Sequence, residues 1–185
     1  DVAAPYMGMY SASKAAIKGY TDALRIELMM DKRPVSVTLI KPAPIATPVL
    51  QHQRNLLDRQ ATMPPPFYRP EDVARTILYA AEHPVRDLFV GGAARFGSVF
   101  GQMLPGLADA GAALFARQIF KTRNPPTERP DNLYEPGRPA TTQGDTHGHI
   151  ARPSLYTAMR TRPRMTGLIA VAAIGLLGAR FARTR

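Results

Sequence analysis

Residues 10–28 read YSASKAAIKGYTDALRIEL, and this stretch decides the fold that we assign to the chain. Apolar and small residues recur in it every three or four positions, which predicts an amphipathic helix from Met9 to Met30. Its first turns carry Tyr10 and Lys14, which are one helical turn apart and therefore share a face. We expect an apolar stripe to pack in a core or at a dimer interface; it consists of Ala16, Ile17, Tyr20, Ala23, Leu24 and Leu28.

The pairing of Tyr10 with Lys14 is suited to proton transfer. A free phenol has a pKa of about 10, which is too high for a general acid or base at neutral pH. An ammonium group at about 4 Å, in an effective dielectric of about 20, favours the phenolate by roughly 4 kcal/mol. We therefore predict that Tyr10 is an acid–base group assisted by Lys14. A Tyr and a Lys at this spacing also occur as an ordinary half-solvated pair, so the neighbouring sequence has to decide.

The neighbouring sequence supports the catalytic interpretation. Small residues surround the pair in YSASKAA, so a flat ligand could approach closely, and a predicted strand VSVTLI follows at Val35–Ile40. The segment KPAPIATP then occupies residues 41–48. Together these features resemble the short-chain dehydrogenase/reductase family, in which a Y-[SA]-[SA]-[SA]-K helix precedes a strand that ends in a P-G-x-x-x-T loop. The resemblance covers residues 5–92 and implies the C-terminal half of an α/β, Rossmann-like, doubly wound parallel sheet.

The resemblance also implies which residues bind the cofactor, NAD or NADP. Lys14 would hold the ribose hydroxyls as well as assist Tyr10. Backbone groups of Ile45 and the side chain of Thr47 would contact the nicotinamide carboxamide. The residues that distinguish NAD from NADP in this family would precede Asp1, so the choice between the two stays open.

The predicted cofactor loop departs from the family pattern at one position. Pro42 and Ala43 stand where the family has Pro-Gly, and Ala43 is restricted if its backbone needs a positive φ. Pro44 further favours an extended Ala43. Without the resemblance, this loop is equally well interpreted as a proline-rich turn that binds no ligand.

Two features of the family are absent ahead of the catalytic helix. The Gly-rich turn that binds phosphate would precede Tyr10, and the serine that polarises the substrate would precede Asp1. We therefore expect the sequence to be a fragment whose 185 residues are inactive and poorly folded alone. The alternative is a catalytically inert fragment or pseudoenzyme that docks on a membrane or a partner.

The elements after the cofactor loop match the family order. Residues 49–69 form a long connection that we expect to cover the substrate, and its apolar residues suit a lipophilic alcohol, ketone or aldehyde. A helix is predicted for Pro70–His83, because proline and two carboxylates open it. The strand Asp87–Val90 follows and ends at a Gly-Gly pair. The resemblance also implies a homo-oligomer, since the catalytic helix often packs between subunits in this family.

The remainder of the chain divides into three segments. Residues 93–120 are an apolar extension, and residues 121–164 are a Pro-rich, basic linker that we expect to be extended or disordered. Residues 165–185 are a candidate C-terminal membrane anchor, although the uncharged run 165–179 is shorter than the roughly 20 residues of a span. We expect a membrane-associated protein with a cytoplasmic catalytic domain, or otherwise a cytoplasmic one.

Charge and composition exclude some functions. The chain has 24 Lys and Arg against 14 Asp and Glu, and the excess is concentrated in residues 121–185, with 11 basic and 4 acidic side chains. A basic tail beside an apolar segment suits a membrane surface and argues against nucleic-acid binding by the folded part. There is no cysteine. We interpret Asp145, His147 and His149 as a solvated loop and predict no metal site.

Overall fold

The computed structural model describes residues 2–119, 125, 131–136, 141–144, 150, 154–162 and 166. Six helices and two strands occur in these ranges. In chain order they are α1 (Gly8–Met30), β1 (Leu39–Pro42), α2 (Val49–His52), α3 (Pro70–Glu82), β2 (Asp87–Val90), α4 (Gly92–Met103), α5 (Pro105–Ile119) and α6 (Leu155–Thr161).

Strands β1 and β2 form a parallel pair, with Leu39 opposite Asp87 and Pro42 opposite Val90. Helix α3 lies between them in the chain and packs on both strands. This is a βαβ unit, the building block of α/β folds with a parallel sheet. The parallel α/β arrangement predicted from the sequence is therefore present, as two strands.

The first strand is displaced from its predicted position. We expected Val35–Ile40, but the strand begins at Leu39, because its partner β2 begins opposite that residue. The preceding residues are held by other bonds: the Thr38 hydroxyl donates to the Val85 carbonyl at 2.6 Å. The partner's length therefore sets the strand boundary, which the apolar run alone does not reveal.

Helix α3 confirms its prediction to within one residue. Pro70 occupies the first turn with two carboxylates, Glu71 and Asp72, where proline and negative charge are favoured. The Thr76 hydroxyl, which is fully buried, donates to the Asp72 carbonyl at 2.7 Å. This bond lets a polar side chain face the sheet without an unsatisfied donor.

The core is centred on β2. Leu88, Phe89 and Val90 are buried, together with Ala43, Ala46, Phe67 and Tyr68 from the loops that follow β1. Directly after β2, Gly91 has a φ of 92°, and a Cβ added there would lie 2.5 Å from the Tyr68 ring. Only glycine allows this approach, so Gly91 brings Tyr68 against the end of the strand.

Helix α1 begins one residue before its predicted start and ends at the predicted residue, but its predicted buried stripe is largely exposed. Ile17 is 49% and Tyr20 is 71% exposed, and Thr21 is the buried residue of the helix. Within the described part of the chain the stripe is therefore not packed in a core, and the other expectation, packing at a dimer interface, stays a prediction. The reason is that helix periodicity reports which face is apolar and not which surface covers it.

The segment 121–164 departs from the predicted extended or disordered state at its end. Leu155–Thr161 is helical, and the Ser154 side chain caps it by accepting from the Thr157 N–H at 3.2 Å. Thr157 is buried and accepts a bond of 2.9 Å from the Gly91 N–H, so α6 is fixed to the end of β2. Proline content predicted an extended or disordered segment here, but the Ser154 cap and the bond between Gly91 and Thr157 stabilise a helix.

None of the helices in the described ranges is both long and apolar enough to cross a membrane. The predicted anchor run 165–179 lies outside the described residues, apart from Thr166. Asp145, His147 and His149 also lie outside them. The apolar extension predicted for residues 93–120 is helical as far as Ile119, in α4 and α5.

Candidate active site

Tyr10 and Lys14 lie together at the start of α1. The Lys14 Nζ atom is 5.4 Å from the centroid of the Tyr10 ring. Tyr10 is 52% exposed, so its hydroxyl can be reached by a small molecule. The Ser13 hydroxyl donates to the Tyr10 carbonyl at 2.8 Å, within the helix. The pair thus combines a proton-bearing phenol with a positive charge on an accessible helix face.

The segment before α1 contacts both the first turns of that helix and α4. The Ala4 N–H donates to the Ser11 hydroxyl at 3.1 Å, which ties the leading segment to the first helical turns. Within that segment, Val2 approaches α4: its Cγ2 would lie 3.7 Å from a Cβ on Gly97. This contact places the leading segment beside the middle of α4.

The last turns of α1 are attached through Arg25. Arg25 donates to the carbonyls of Val37, at 2.8 Å, and Arg86, at 2.6 Å. Val37 lies two residues before β1, and Arg86 lies directly before β2. The last turns of α1 therefore lie against the amino ends of β1 and β2.

A cluster of charges around Asp22 reinforces this attachment. Asp22 accepts from Lys18 at 3.0 Å and pairs with Arg25 at 2.7 Å and Arg86 at 2.6 Å. The hydrogen bond from Lys18, followed by the charges of Arg86 and Arg25, lowers the pKa of Asp22 below its ordinary value. The carboxylate therefore stays ionised at neutral pH and keeps the three cations together.

The predicted cofactor loop leaves β1 in an extended form. The Ala43 N–H donates to the Val90 carbonyl at 2.9 Å, which continues the ladder beyond Pro42. Ala43 is not among the residues with a positive φ, so alanine in place of the family's glycine causes no backbone strain. The departure from the family pattern is thus accommodated.

The same loop presents the backbone of Ile45 on one side. Tyr68 forms both of its bridge bonds with the neighbours of Ile45, accepting from the Ala46 N–H and donating to the Pro44 carbonyl, each at 2.9 Å. In a parallel bridge of this kind, the N–H and carbonyl of Ile45 face away from Tyr68. The Ile45 carbonyl accepts from the Thr47 N–H at 2.8 Å.

These groups fit a nicotinamide carboxamide. A carboxamide has one oxygen acceptor and an NH₂ donor, and the loop offers an outward N–H at Ile45 and a half-exposed hydroxyl at Thr47. Pro42 and Ala43 supply no side-chain polar group, so any contribution of theirs to binding would be the shape of the loop. No hydrogen bond or ion pair joins Tyr10 or Lys14 to this loop in the described ranges.

The connection 49–69, which we expected to cover the substrate, is buried at its end and exposed nearer its start. Phe67 and Tyr68 at its end are buried, whereas Val49 is 46% and Leu56 is 88% exposed. Sequence reasoning missed the roles of Arg25, Gly91 and Tyr68 in shaping this region. For Gly91 the signal was the Gly-Gly pair after β2; Arg25 bonds to distant carbonyls and has no local signal.

Residues 1–57, which include both Tyr10 with Lys14 and the loop 41–48, match the family described as short chain dehydrogenase. The chain is similar to "Uncharacterized oxidoreductase YxnA" of Bacillus subtilis (strain 168), with 36% identity over 176 residues, 89% of this chain. It is also similar to "Putative oxidoreductase SadH" of two Mycobacterium tuberculosis strains, with 39% identity over 51 residues, 28% of this chain.

These alignments cover only part of each relative. They extend over 48% of YxnA and 18% of SadH, so the chain spans about half the length of the more broadly matched relative. No solved structure matches the chain significantly.

Proposed function

The chain belongs to the short-chain dehydrogenase/reductase family, and we propose that it carries the acid–base helix and the nicotinamide loop of an oxidoreductase that uses NAD or NADP. The substrate would be an alcohol, or the corresponding ketone or aldehyde. One observation carries the proposal: an exposed Tyr10 lies beside the Lys14 ammonium, within the residues 1–57 that match the family.

In this proposal Tyr10 handles the proton. Its hydroxyl gives a proton to the carbonyl oxygen when the substrate is reduced and takes one from the alcohol when it is oxidised. The positive charge of Lys14 stabilises the negative phenolate oxygen that is left after proton donation. A nicotinamide, when bound, supplies or accepts the hydride.

Lys14 and the loop would hold the cofactor. Lys14 has three N–H donors and can bond ribose hydroxyls while its charge acts on Tyr10. The Ile45 N–H and the Thr47 hydroxyl would fix the carboxamide, and Pro42 and Ala43 would set the direction of the loop. Fixing the ring in this way orients its reactive face towards the atom that Tyr10 serves.

Two further properties follow from exposed apolar surface. The side chains of Val49 and Leu56 project from the connection after the loop, which suits a lipophilic substrate. The exposed stripe of α1, including Ile17 and Tyr20, suits packing against the same helix of a second copy. We propose a homo-oligomer on that ground.

The test is Tyr10→Phe in the natural full-length protein, with Tyr20→Phe as the matched control on the same helix. We expect Tyr10→Phe to lower turnover of a panel of lipophilic alcohols and ketones by about 100-fold or more, because positioned acid–base groups contribute that much. Its Kd for NAD and NADP should stay within about twofold, since the ring stays in place. Tyr20→Phe should leave both quantities unchanged.

A modest loss of turnover in Tyr10→Phe, similar to that in Tyr20→Phe, would overturn the role of Tyr10. Binding of neither dinucleotide by the unaltered protein would overturn the oxidoreductase proposal and favour the inert, partner-docking alternative. The two measurements therefore separate the residue's role from the function of the whole protein.

A further inference from the structure

A distant part of the chain is seated on the proposed nicotinamide loop. We use the name C-terminal strap for residues 131–136, 141–144 and 150. The Gly144 N–H donates to the Ala46 carbonyl at 3.2 Å, and the Asn132 N–H donates to the His52 carbonyl at 2.8 Å. Both bonds use backbone groups, so the strap contacts the main chain of the loop and of α2 directly.

Side chains fix the strap at its first end. The Arg54 Nε atom lies 2.6 Å from the Asp131 Oδ2 atom, and the Arg54 guanidinium lies 5.4 Å from the centroid of the Tyr134 ring. The hydrogen bond from Arg54, together with one from the Leu133 N–H, lowers the pKa of Asp131. Asp131 is therefore ionised at neutral pH and holds Arg54 against the strap.

The strap continues to the other side of the loop. The side-chain amide of Gln143 donates to Glu71 at 3.4 Å, at the start of α3. Ile150 forms a parallel bridge with Phe67, the residue beside Tyr68, which itself bridges Ile45. Tyr68 therefore pairs with the loop directly, and the strap contacts both the loop, at Ala46, and the residues around it, at Phe67 and Glu71.

The closest approach is at Gly144. A Cβ added there would lie 2.5 Å from the Thr47 carbonyl oxygen and 2.8 Å from the Pro48 Cα. Those are backbone atoms, which cannot move aside as the end of a long side chain can. Glycine is therefore required for the strap to sit against Thr47 as it does.

We propose that the C-terminal strap positions the nicotinamide loop, and that Gly144 is a positioning residue that acts through Thr47. The inference rests on the proposed function, in which Thr47 contacts the carboxamide. With the strap in place, the Thr47 backbone is held from one side by Ile45 and from the other by Gly144. Displacing the strap releases Thr47 and weakens the grip on the nicotinamide ring without touching Tyr10.

The experiment compares Gly144→Ala with Gly111→Ala in the natural full-length protein. Gly111 is the matched control, because a Cβ there meets nothing within 4 Å. We expect Gly144→Ala to raise the KM for the dinucleotide about tenfold while kcat at saturating dinucleotide stays within about twofold. Hydrogen exchange of residues 45–54 should also increase, and the midpoint of thermal unfolding should stay close to that of the unaltered protein.

A second pair of variants tests the same docking from its other end. Asp131→Arg places two like charges together and should raise the same KM, whereas Arg54→Asp combined with Asp131→Arg restores the pair and should recover most of the loss. Recovery depends on the contact between the two side chains, which general destabilisation would not reproduce.

Three results decide the inference. A Gly144→Ala protein with an unchanged KM for a dinucleotide that the unaltered protein binds overturns the strap's role and leaves the proposed function standing. A fall of kcat, KM effects on both substrates and a lowered unfolding midpoint together would indicate a merely structural glycine and also overturn it. Failure of the unaltered protein to bind either dinucleotide overturns both proposals.

Discussion

Helix α1 and strand β2 differ in how they are held. Helix α1 has 23 residues and one buried side chain, Thr21, whereas β2 has four residues, of which three are buried. The helix is attached through Arg25, Asp22 and their hydrogen bonds, and the strand through apolar contacts. The short strand therefore carries the stability of this half of the fold, and the long helix carries the proposed chemistry.

Because α1 buries so little, another protein surface would have to cover its apolar face for that face to contribute to stability. A largely exposed apolar face on a long helix loses the burial that normally stabilises helices in proteins. The expectation that the 185 residues are poorly folded alone stays a prediction and agrees with this exposure. Three substitutions can break or sharpen the comparison.

The largest effect is expected at Leu88, which is 2% exposed in β2. Leu88→Ala should lower the free energy of unfolding by about 2–5 kcal/mol, because it removes buried methyl groups and leaves a cavity. Denaturant titration measures this change. Leu78→Ala in α3 is the control, since that side chain is 67% exposed and should change stability by less than about 0.5 kcal/mol. Equal losses in the two variants would contradict our placement of the core.

An intermediate effect is expected at Arg25. Arg25→Met keeps the apolar stem but removes the donor to the Val37 carbonyl and one of the two donors to the Arg86 carbonyl, which keeps its bond from the Leu39 N–H, so the loss should be about 1 kcal/mol. Hydrogen exchange should rise in α1 more than in β2, because the helix loses its attachment while the strand keeps its core. The exposed Arg33, just beyond the helix, offers Arg33→Met as a control. If α1 is as protected in Arg25→Met as in that control, apolar contacts hold the helix instead.

The smallest effect is expected at Met29, which is 77% exposed in α1. Met29→Ser should change the free energy of unfolding by less than about 0.5 kcal/mol, because little apolar surface is buried there. The measurement is again a denaturant titration, with the half-buried Leu24→Ser of the same helix as the comparison. A loss above about 1 kcal/mol for Met29→Ser would mean that another surface covers this end of the helix.

The sequence predicted the regular elements that carry their own local signals. The bounds of α1 followed from its apolar spacing, α3 from Pro70 and the acidic residues after it, and β2 from an apolar run that ends at two glycines. These signals depend on neighbours within one or two helical turns. Of the family's site residues, Tyr10, Lys14 and Thr47 could be assigned from motif spacing, and their roles stay predictions.

What could not be predicted depends on residues far apart in the sequence. The register of β1 depends on its pairing with Asp87, and the attachment of α1 depends on the carbonyl of Arg86. The position of Gly144 depends on the backbone of Thr47. Proline content predicted that residues 121–164 are extended or disordered, yet Ser154 caps a helix and the Gly144 N–H bonds to the loop. Ser154 was a usable cap signal; the contacts of Gly144 had none.

The contact between Gly144 and Ala46 joins positions 98 residues apart, so it has a consequence for the order of folding. Closing so long a segment costs more entropy than any local contact around the loop, and such contacts form late. During synthesis the βαβ unit has all its residues before the strap has left the ribosome. The loop that we assign to the nicotinamide is therefore expected to reach its final form only after residues 131–144 have emerged, later than the βαβ unit around it.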